Sequence, residues 1–222
     1  MSSALLRLCQ LVSPALPIGG YNFSQGLEYA IQADWVRDEA SALVWIRGLA
    51  HHAVGTVDLP ILLRLYAAWT SNDLSTVDRW NALLIASRET SELRAEERHL
   101  GRALAKVLVE LNVEGAVRWS QRADLSFAAT FALASVRWSI DANDAACGYL
   151  WSWAENQVLA AVKTVPLGQT AGQRMLDSLI RDIPAIAANA AAMHDEDIGS
   201  SAPLHLIASA AHETQYTRLF HS

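Results

Sequence analysis

The sequence predicts an all-α protein, folded as a single-domain bundle of about ten helices. Apolar residues recur at helical spacing through most of the 222 residues, and this periodicity is the main signal of amphipathic helices. No alternating run of apolar and polar residues is long enough to predict a strand. No repeat with a period of about 20–50 residues is visible, so a bundle is favoured over a solenoid.

Helices alternate with short breaks in the first half of the chain. Asp38 is a suitable N-cap for the third helix, and Gly55 is expected to end that helix. Pro60 is tolerated in the first turn of the fourth helix, which begins at Val57 or Asp58. The helices predicted in this half are residues 3–11, 24–32, 39–54, 58–69 and 74–82.

The longest predicted helix spans residues 87–111. Its first half is densely charged, which indicates a solvated face with i,i+4 pairing, in which Glu92 and Glu96 are offset by flanking arginines. Gly101 lies inside this helix, where glycine costs about 1 kcal/mol relative to alanine. A glycine at this position therefore predicts close approach by another backbone.

The second half contains an almost uniformly apolar stretch, which predicts a helix at the centre of the bundle. Asn143 or Asp144 is expected to cap the next helix, and Thr170 with Gln173 has the pattern of a capping box. Pro184 is expected to kink or divide its helix. The predicted helices are residues 124–138, 145–164, 170–193 and 204–213, followed by the tail 214–222. The polar residues 194–203, before the last helix, are predicted to be a mobile connector.

The least helical part of the chain is the segment 11–28. Pro14 and Pro17 disfavour helix before them, and a Gly-Gly pair follows. Asn22 with Gln25, or Ser24 one turn later, is the candidate N-cap for the second helix. A simple helix–loop–helix connection remains one interpretation. The apolar content of the segment favours a surface with a function, because loops are usually polar.

Composition and charge exclude several classes of protein. The net charge is −6 without a basic block, so nucleic acid is a poor candidate partner. No uncharged apolar run reaches about 18 residues, so no membrane span and no membrane partner are expected. Cys9 and Cys147 are the only cysteines, which fits a reducing cytoplasm better than a disulfide framework. The eight tryptophans and five tyrosines fit either buried interfaces or a helical core.

No strong catalytic motif is present. A phosphate-binding G-x-x-x-x-G-K-[ST] and a zinc-binding H-E-x-x-H are both missing from the sequence. His205 and His212 share a helix face, but about 10 Å of helix separates them, so a metal would need further ligands between them. Neither cysteine has an evident base nearby. An acid–base pair around Glu92, Arg94 and Glu96 remains open beside the interpretation as a solvated or interface face.

Four segments carry a resemblance to a known family. They are residues 13–28 (SPALPIGGYNFSQGLE), 89–94 (ETSELR), 162–173 (VKTVPLGQTAGQ) and 212–222 (HETQYTRLFHS). Together they resemble the UreF family of urease accessory proteins, in order along the whole chain.

The resemblance implies a cytoplasmic chaperone that is not an enzyme and forms a homodimer. In this family the protein binds the accessory protein UreD, called UreH in some species. The pair then recruits the nickel-carrying GTPase UreG and delivers nickel to apo-urease. No cofactor is expected to be tightly bound, since the complex handles nickel transiently.

The resemblance also implies which residues bind partners. Tyr21 and Arg218 match family residues at the surface that recruits the GTPase, and Lys163 is a further candidate. The tail is expected to become ordered when the UreD-type partner docks, and His221 stands where the family often has arginine. The implied partner-binding residues are Ser13, Pro14, Pro17, Gly19, Gly20, Tyr21, Ser24, Glu28, Lys163, Gln169, Tyr216, Arg218, Leu219 and Phe220.

Two alternatives stay open beside the scaffold. One is a GTPase-activating protein that supplies an arginine in trans to UreG. The other is an all-helical enzyme that uses the surface of Glu92, Arg94 and Glu96.

Overall fold

The computed structural model describes residues 3–222, and within them it contains helices but no strand. Ten of its α-helices have nine or more residues and two are shorter, which confirms the predicted all-α bundle. The α-helices are α1 (Ser3–Leu11), α2 (Leu27–Gln32), α3 (Glu39–Leu49), α4 (Leu59–Thr70), α5 (Leu74–Ala86), α6 (Ser91–Glu110), α7 (Ala116–Ser120), α8 (Phe127–Arg137), α9 (Ala142–Thr164), α10 (Gln169–Ile180), α11 (Ile183–Ala192) and α12 (Pro203–His212).

The core is built around α8, which packs between α4 and α6. Its residues from Phe127 to Ser135 are all buried, so the uniformly apolar stretch is the central helix, as predicted. Gly101 of α6 lies against the start of this helix: a Cβ added there would be 2.1 Å from the carbonyl oxygen of Leu125. The predicted close approach of another backbone at Gly101 is confirmed.

A π-helix (Ala50–Asp58) joins α3 directly to α4. The prediction that Gly55 ends a helix is therefore wrong. Gly55 is instead a packing contact, because an added Cβ would be 2.6 Å from Cγ2 of Ile186 in α11. Pro60 lies in the first turn of α4, as expected.

Several helix ends differ from the predicted ones. Asp38 caps α3 through a capping box with Ser41, as predicted. The cap of α9 is Asp141, two or three residues earlier than expected, and its carboxylate accepts a hydrogen bond from the backbone of Asn143. The capping box predicted at Thr170 does not form, because α10 begins at Gln169 after Gly168 without a side-chain cap.

Further differences concern the short elements. Pro184 lies in the first turn of α11, and the break before it divides α10 from α11 as predicted. The five-residue α7 was not predicted; Gly115 precedes it in the left-handed region with φ 86°. Among the eight tryptophans only Trp35 is exposed, but Tyr21 and Tyr216 are exposed as well, so these aromatics include both core and surface residues.

The predicted connector 194–203 lies along the π-helix. The backbone amide of Ser201 donates to the carbonyl of His52 at 2.9 Å, and that of Gly199 donates to the carbonyl of Thr56 at 3.2 Å. Arg64 reaches Asp195 at 2.7 Å. The mobility of this connector stays a prediction.

None of the helices in residues 3–222 combines the length and the apolar content needed to cross a bilayer.

Candidate functional site

The C-terminal tail folds back onto the loop that precedes α2. The backbone amide of Ser24 donates to the carbonyl oxygen of Ser222 at 2.9 Å, and the Ser24 hydroxyl donates to the same oxygen. The amide of His221 donates to the carbonyl of Asn22, also at 2.9 Å. These contacts join the first loop and the tail in one site, which we call the loop–tail site (residues 13–28 and 212–222).

Glu28 of α2 holds the middle of the tail. Its two carboxylate oxygens accept hydrogen bonds from the amides of Leu219 at 2.8 Å and Phe220 at 3.1 Å. Glu28 is 9% exposed and Phe220 is 6% exposed. A buried carboxylate needs such donors, because burial without them costs several kcal/mol. The tail thus supplies the hydrogen bonds that allow Glu28 to be buried.

His212, at the end of α12, joins α2 to α6. Its Nδ1 lies 2.7 Å from a carboxylate oxygen of Glu92, and its Nε2 lies 3.3 Å from a carboxylate oxygen of Glu28. Arg218 donates to the other oxygen of Glu92. Both nitrogens of His212 are thereby engaged within the protein, so the metal site considered for His205 and His212 does not form.

Glu96 lies one turn after Glu92 and anchors the last residue. The Ser222 hydroxyl and the side-chain amide of Gln25 each donate to the Glu96 carboxylate at 2.8 Å. The indole of Trp153 donates to the other end of Gln25 at 2.8 Å. Burial raises the pKa of Glu96 to about 7, although the hydrogen bonds from Ser222 and Gln25 oppose that rise.

A second polar cluster surrounds Glu97, the residue after Glu96 on α6. Arg88 contacts Asp58 at 2.5 Å and Glu97 at 2.6 Å, and the Tyr149 hydroxyl donates to Asp58 at 3.2 Å. Burial opposes the charge of Arg88, but the two carboxylates outweigh it and raise the Arg88 pKa well above its ordinary value. Burial, with Asp58 and Glu97, also raises the pKa of Tyr149 well above its ordinary value.

These clusters correct the prediction that the charged half of α6 is a solvated face. Glu96 and Glu97 are each only 5% exposed. The guanidinium of Arg94 donates to the carbonyl of Arg88. In this conformation Glu92 and Glu96 are therefore engaged by the tail, through His212, Arg218 and Ser222. No group of three or more metal-binding side chains among residues 3–222 is placed to hold a metal ion.

The outer side of the loop–tail site carries exposed side chains. Tyr21 is 51% exposed and lies in a short 3-10 helix, Gly20–Asn22, entered through Gly19 at φ 76°. The Lys163 ammonium lies 5.5 Å from the centre of the Tyr21 ring and 5.8 Å from that of Phe220. Lys163 therefore contacts both the loop and the tail, although Tyr21 and Phe220 are 199 positions apart in the sequence.

The residues implied as partner-binding divide into two groups. Those that are exposed or partly exposed are Ser13, Pro14, Pro17, Gly19, Gly20, Tyr21, Lys163, Gln169, Tyr216, Arg218 and Leu219. Ser24, Glu28 and Phe220 are buried, so in this conformation they hold the tail and do not face a partner. Gln169 begins α10, outside the loop–tail site.

The cap predicted for α2 is also different. The helix begins at Leu27 with Gly26 as its N-cap. Gly26 has φ 79°, and an added Cβ would lie 2.8 Å from the backbone nitrogen of Ser209 in α12. Ser24 still contributes, since its hydroxyl accepts from the amide of Glu28 at 3.3 Å.

The sequence predicted other roles for three residues that build the site, Gln25, Glu96 and His212, and no individual role for Ser222. Glu92 and Glu96 are one turn apart, so both lie on one face of α6. That spacing was the available signal, but it does not reveal that the tail covers the face.

Sequence comparison with known proteins identifies the family. A model of the UreF family matches residues 36–180. The chain is 48% identical to the urease accessory protein UreF of Alkalilimnicola ehrlichii, over 97% of this chain and 95% of that protein. It is 47% identical to UreF of Teredinibacter turnerae over the full length of both. It is also 47% identical to UreF of Hahella chejuensis, over 99% and 98%. The chain therefore belongs to the UreF family of urease accessory proteins.

Proposed function

We propose that the protein is a scaffold in urease maturation. It joins a UreD- or UreH-type accessory protein to the nickel-carrying GTPase UreG, so that nickel reaches apo-urease. It acts as a cytoplasmic homodimer without catalysing a reaction, and it holds no tightly bound cofactor because nickel passes transiently through the complex.

The observation that carries this proposal is the contact between the first loop and the tail. Tyr21 and Arg218 are both exposed, on segments that hydrogen bonds and Lys163 bring together. An exposed aromatic ring beside exposed cationic side chains is the composition typical of energetically important interface residues. The loop–tail site thus offers one surface to which the GTPase binds.

The UreD-type partner acts in this proposal by stabilising the docked tail. Residues 214–222 have one buried apolar side chain, Phe220, and burying it contributes roughly 1.5–3 kcal/mol. Ordering the backbone of nine residues costs roughly 9–18 kcal/mol, several times what the burial of Phe220 contributes. A partner that contacts the docked tail shifts the population toward the state that binds the GTPase.

The test compares Tyr21→Ala and Arg218→Ala with the unchanged protein. We expect both variants to fold, because both side chains are exposed, yet to lose co-purification with UreG in the presence of the UreD-type partner. Arg118→Ala is the matched control, since Arg118 is exposed on α7. Full co-purification by both site variants would contradict the proposed surface.

One observation supports a second candidate function, activation of the GTPase. The Arg218 side chain is 40% exposed on the tail, as an arginine supplied in trans would need to be. The rate of GTP hydrolysis by UreG distinguishes the two functions. An increase of about 10³-fold or more that Arg218→Ala abolishes would support activation; no increase, or inhibition, supports the scaffold.

A further inference from the structure

A groove of about 770 Å³ lies between the first loop and the outer face of α6. One wall is the loop from Pro17 to Tyr21, and the other is the helix surface from His99 to Glu110. Glu96 lies on the same side of α6, one turn before His99, but it does not line the groove. The loop wall of the groove belongs to the loop–tail site, so the groove adjoins the polar network that holds the tail.

The groove is locally positive on an acidic protein. Arg102 and Lys106 lie one turn apart on α6, and both are exposed. Neither forms an ion pair with another of the residues 3–222. Glu110 is the one carboxylate among the described lining residues, while the chain as a whole carries −6. Within the described chain, Arg102 donates only to the backbone carbonyl of Arg98, at 3.1 Å. Two cations without an internal carboxylate partner favour a ligand that supplies negative charge.

The floor of the groove is apolar. Ile18 is buried there, and Ala103 and Val107 lie partly buried between the cationic side chains on the same helix face. Such a floor suits an apolar side chain next to carboxylates better than a row of phosphates. The net negative charge of the chain further disfavours a long polyanion such as nucleic acid. The chemistry therefore fits an acidic protein segment that also carries an apolar residue.

We propose that this groove binds an acidic segment of the GTPase, whose carboxylates lie against Arg102 and Lys106 and whose apolar side chain packs on Ile18 and Val107. The groove continues from Tyr21, so the segment that fills it belongs to the partner that contacts Tyr21. This inference rests on the proposed function, and it adds the chemistry of the partner's contact surface. Glu110 faces the same segment and weakens its binding by like-charge repulsion.

The test measures the dissociation constant of UreG from the complex of this protein with its UreD-type partner. The main variant is the double substitution Arg102→Glu with Lys106→Glu, and Glu110→Lys is the opposite change. The matched control reverses two exposed arginines that do not line the groove, Arg118→Glu with Arg181→Glu. Each variant is measured at about 50 and about 300 mM salt, because screening weakens exposed charge pairs. Thermal unfolding checks that each variant is folded.

We expect the double reversal in the groove to weaken UreG binding by about tenfold or more and to flatten its salt dependence. Glu110→Lys should tighten binding, and the control should leave it unchanged. Equal binding by the folded groove variant and the unchanged protein would overturn the inference while leaving the proposed function intact. If the unchanged complex does not bind UreG at all, the proposed function itself fails.

A single-stranded DNA oligonucleotide is the probe for the competing class of ligand. The inference predicts no measurable binding of this probe to the unchanged protein. DNA binding that the groove variant loses, together with unaltered UreG binding, would overturn the inference in favour of nucleic acid.

Discussion

The two halves of α6 make different kinds of contact, one apolar and closely packed, the other polar. In its second half, Gly101 packs against the backbone of Leu125, inside an apolar core shared with α4 and α8. In its first half, Glu92 and Glu96 meet the tail through hydrogen bonds and ion pairs. Water can replace the polar partners of a carboxylate, but nothing replaces close packing when it is lost. We therefore expect the core contact to fix the fold and the tail contact to be able to open without unfolding the core.

The largest effect is expected at the core contact. Gly101→Ala places a Cβ 2.1 Å from a backbone oxygen, and overpacking against a backbone that cannot move should cost about 3 kcal/mol or more. Gly48→Ala is the matched control in α3, since an added Cβ there meets nothing within 4 Å. That change should stabilise the protein by up to about 1 kcal/mol. Urea denaturation measures both, and equal stability of the two variants would contradict the packing.

The next effect concerns the buried carboxylate Glu96. Its pKa rises from 4.5 to about 7 on folding, so the folded state binds its proton more tightly than the unfolded chain. The stabilisation is complete below pH 4.5 and is lost as the pH rises through 7, in total about 3 kcal/mol at 1.4 kcal/mol per pKa unit.

Glu96→Gln tests this titration. Its amide keeps an acceptor for Gln25 and offers a donor to Ser222, so the tail contact is retained without a titrating group. The free energy of unfolding, measured by denaturation between about pH 4.5 and 7.5, should fall with rising pH less steeply in the variant than in the unchanged protein. Identical pH dependence in the two proteins would show that Glu96 does not titrate in this range.

A smaller, local effect is expected at Glu28. Glu28→Ala leaves the amides of Leu219 and Phe220 without their acceptor, which should cost about 2 kcal/mol of tail docking. Hydrogen exchange of residues 214–222 should then accelerate by about 30-fold, while global unfolding changes little.

Glu39→Ala is the matched control for Glu28. Its carboxylate pairs with Arg174 on the surface, where solvent screens the pair so that it contributes little to stability. Tail exchange should be unchanged in this variant. Loss of the whole fold in Glu28→Ala would mean that the tail contact is part of the core.

The same contrast explains what the sequence could predict. Gly101, Asp38 and Pro184 were interpreted correctly, because a glycine inside a helix, an N-cap aspartate and a proline each act on the backbone around them. Local signals of this kind determine the number and order of the helices. The prediction for Gly55 was wrong because it used only the local sequence. A glycine at this position is typical of a helix end, but Gly55 instead packs against Ile186, which is distant in the sequence.

The polar site could be predicted only in part. Residue types in the first loop and the tail carried the resemblance to the UreF family. Burial of Glu28 and Glu96 was not foreseen, because their partners come from segments 71 to 192 residues away. A carboxylate in an exposed-looking helical pattern has no local feature that distinguishes a solvated position from one that a tail covers.

The most direct measurement of the central claim, that the tail forms a partner surface separable from the core, is deletion of residues 214–222. We expect the truncated protein to fold, with a melting temperature lowered by no more than about 10 °C, and to lose co-purification with both the UreD-type protein and UreG. Retained binding of both partners would contradict the claim, as would failure of the truncated chain to fold.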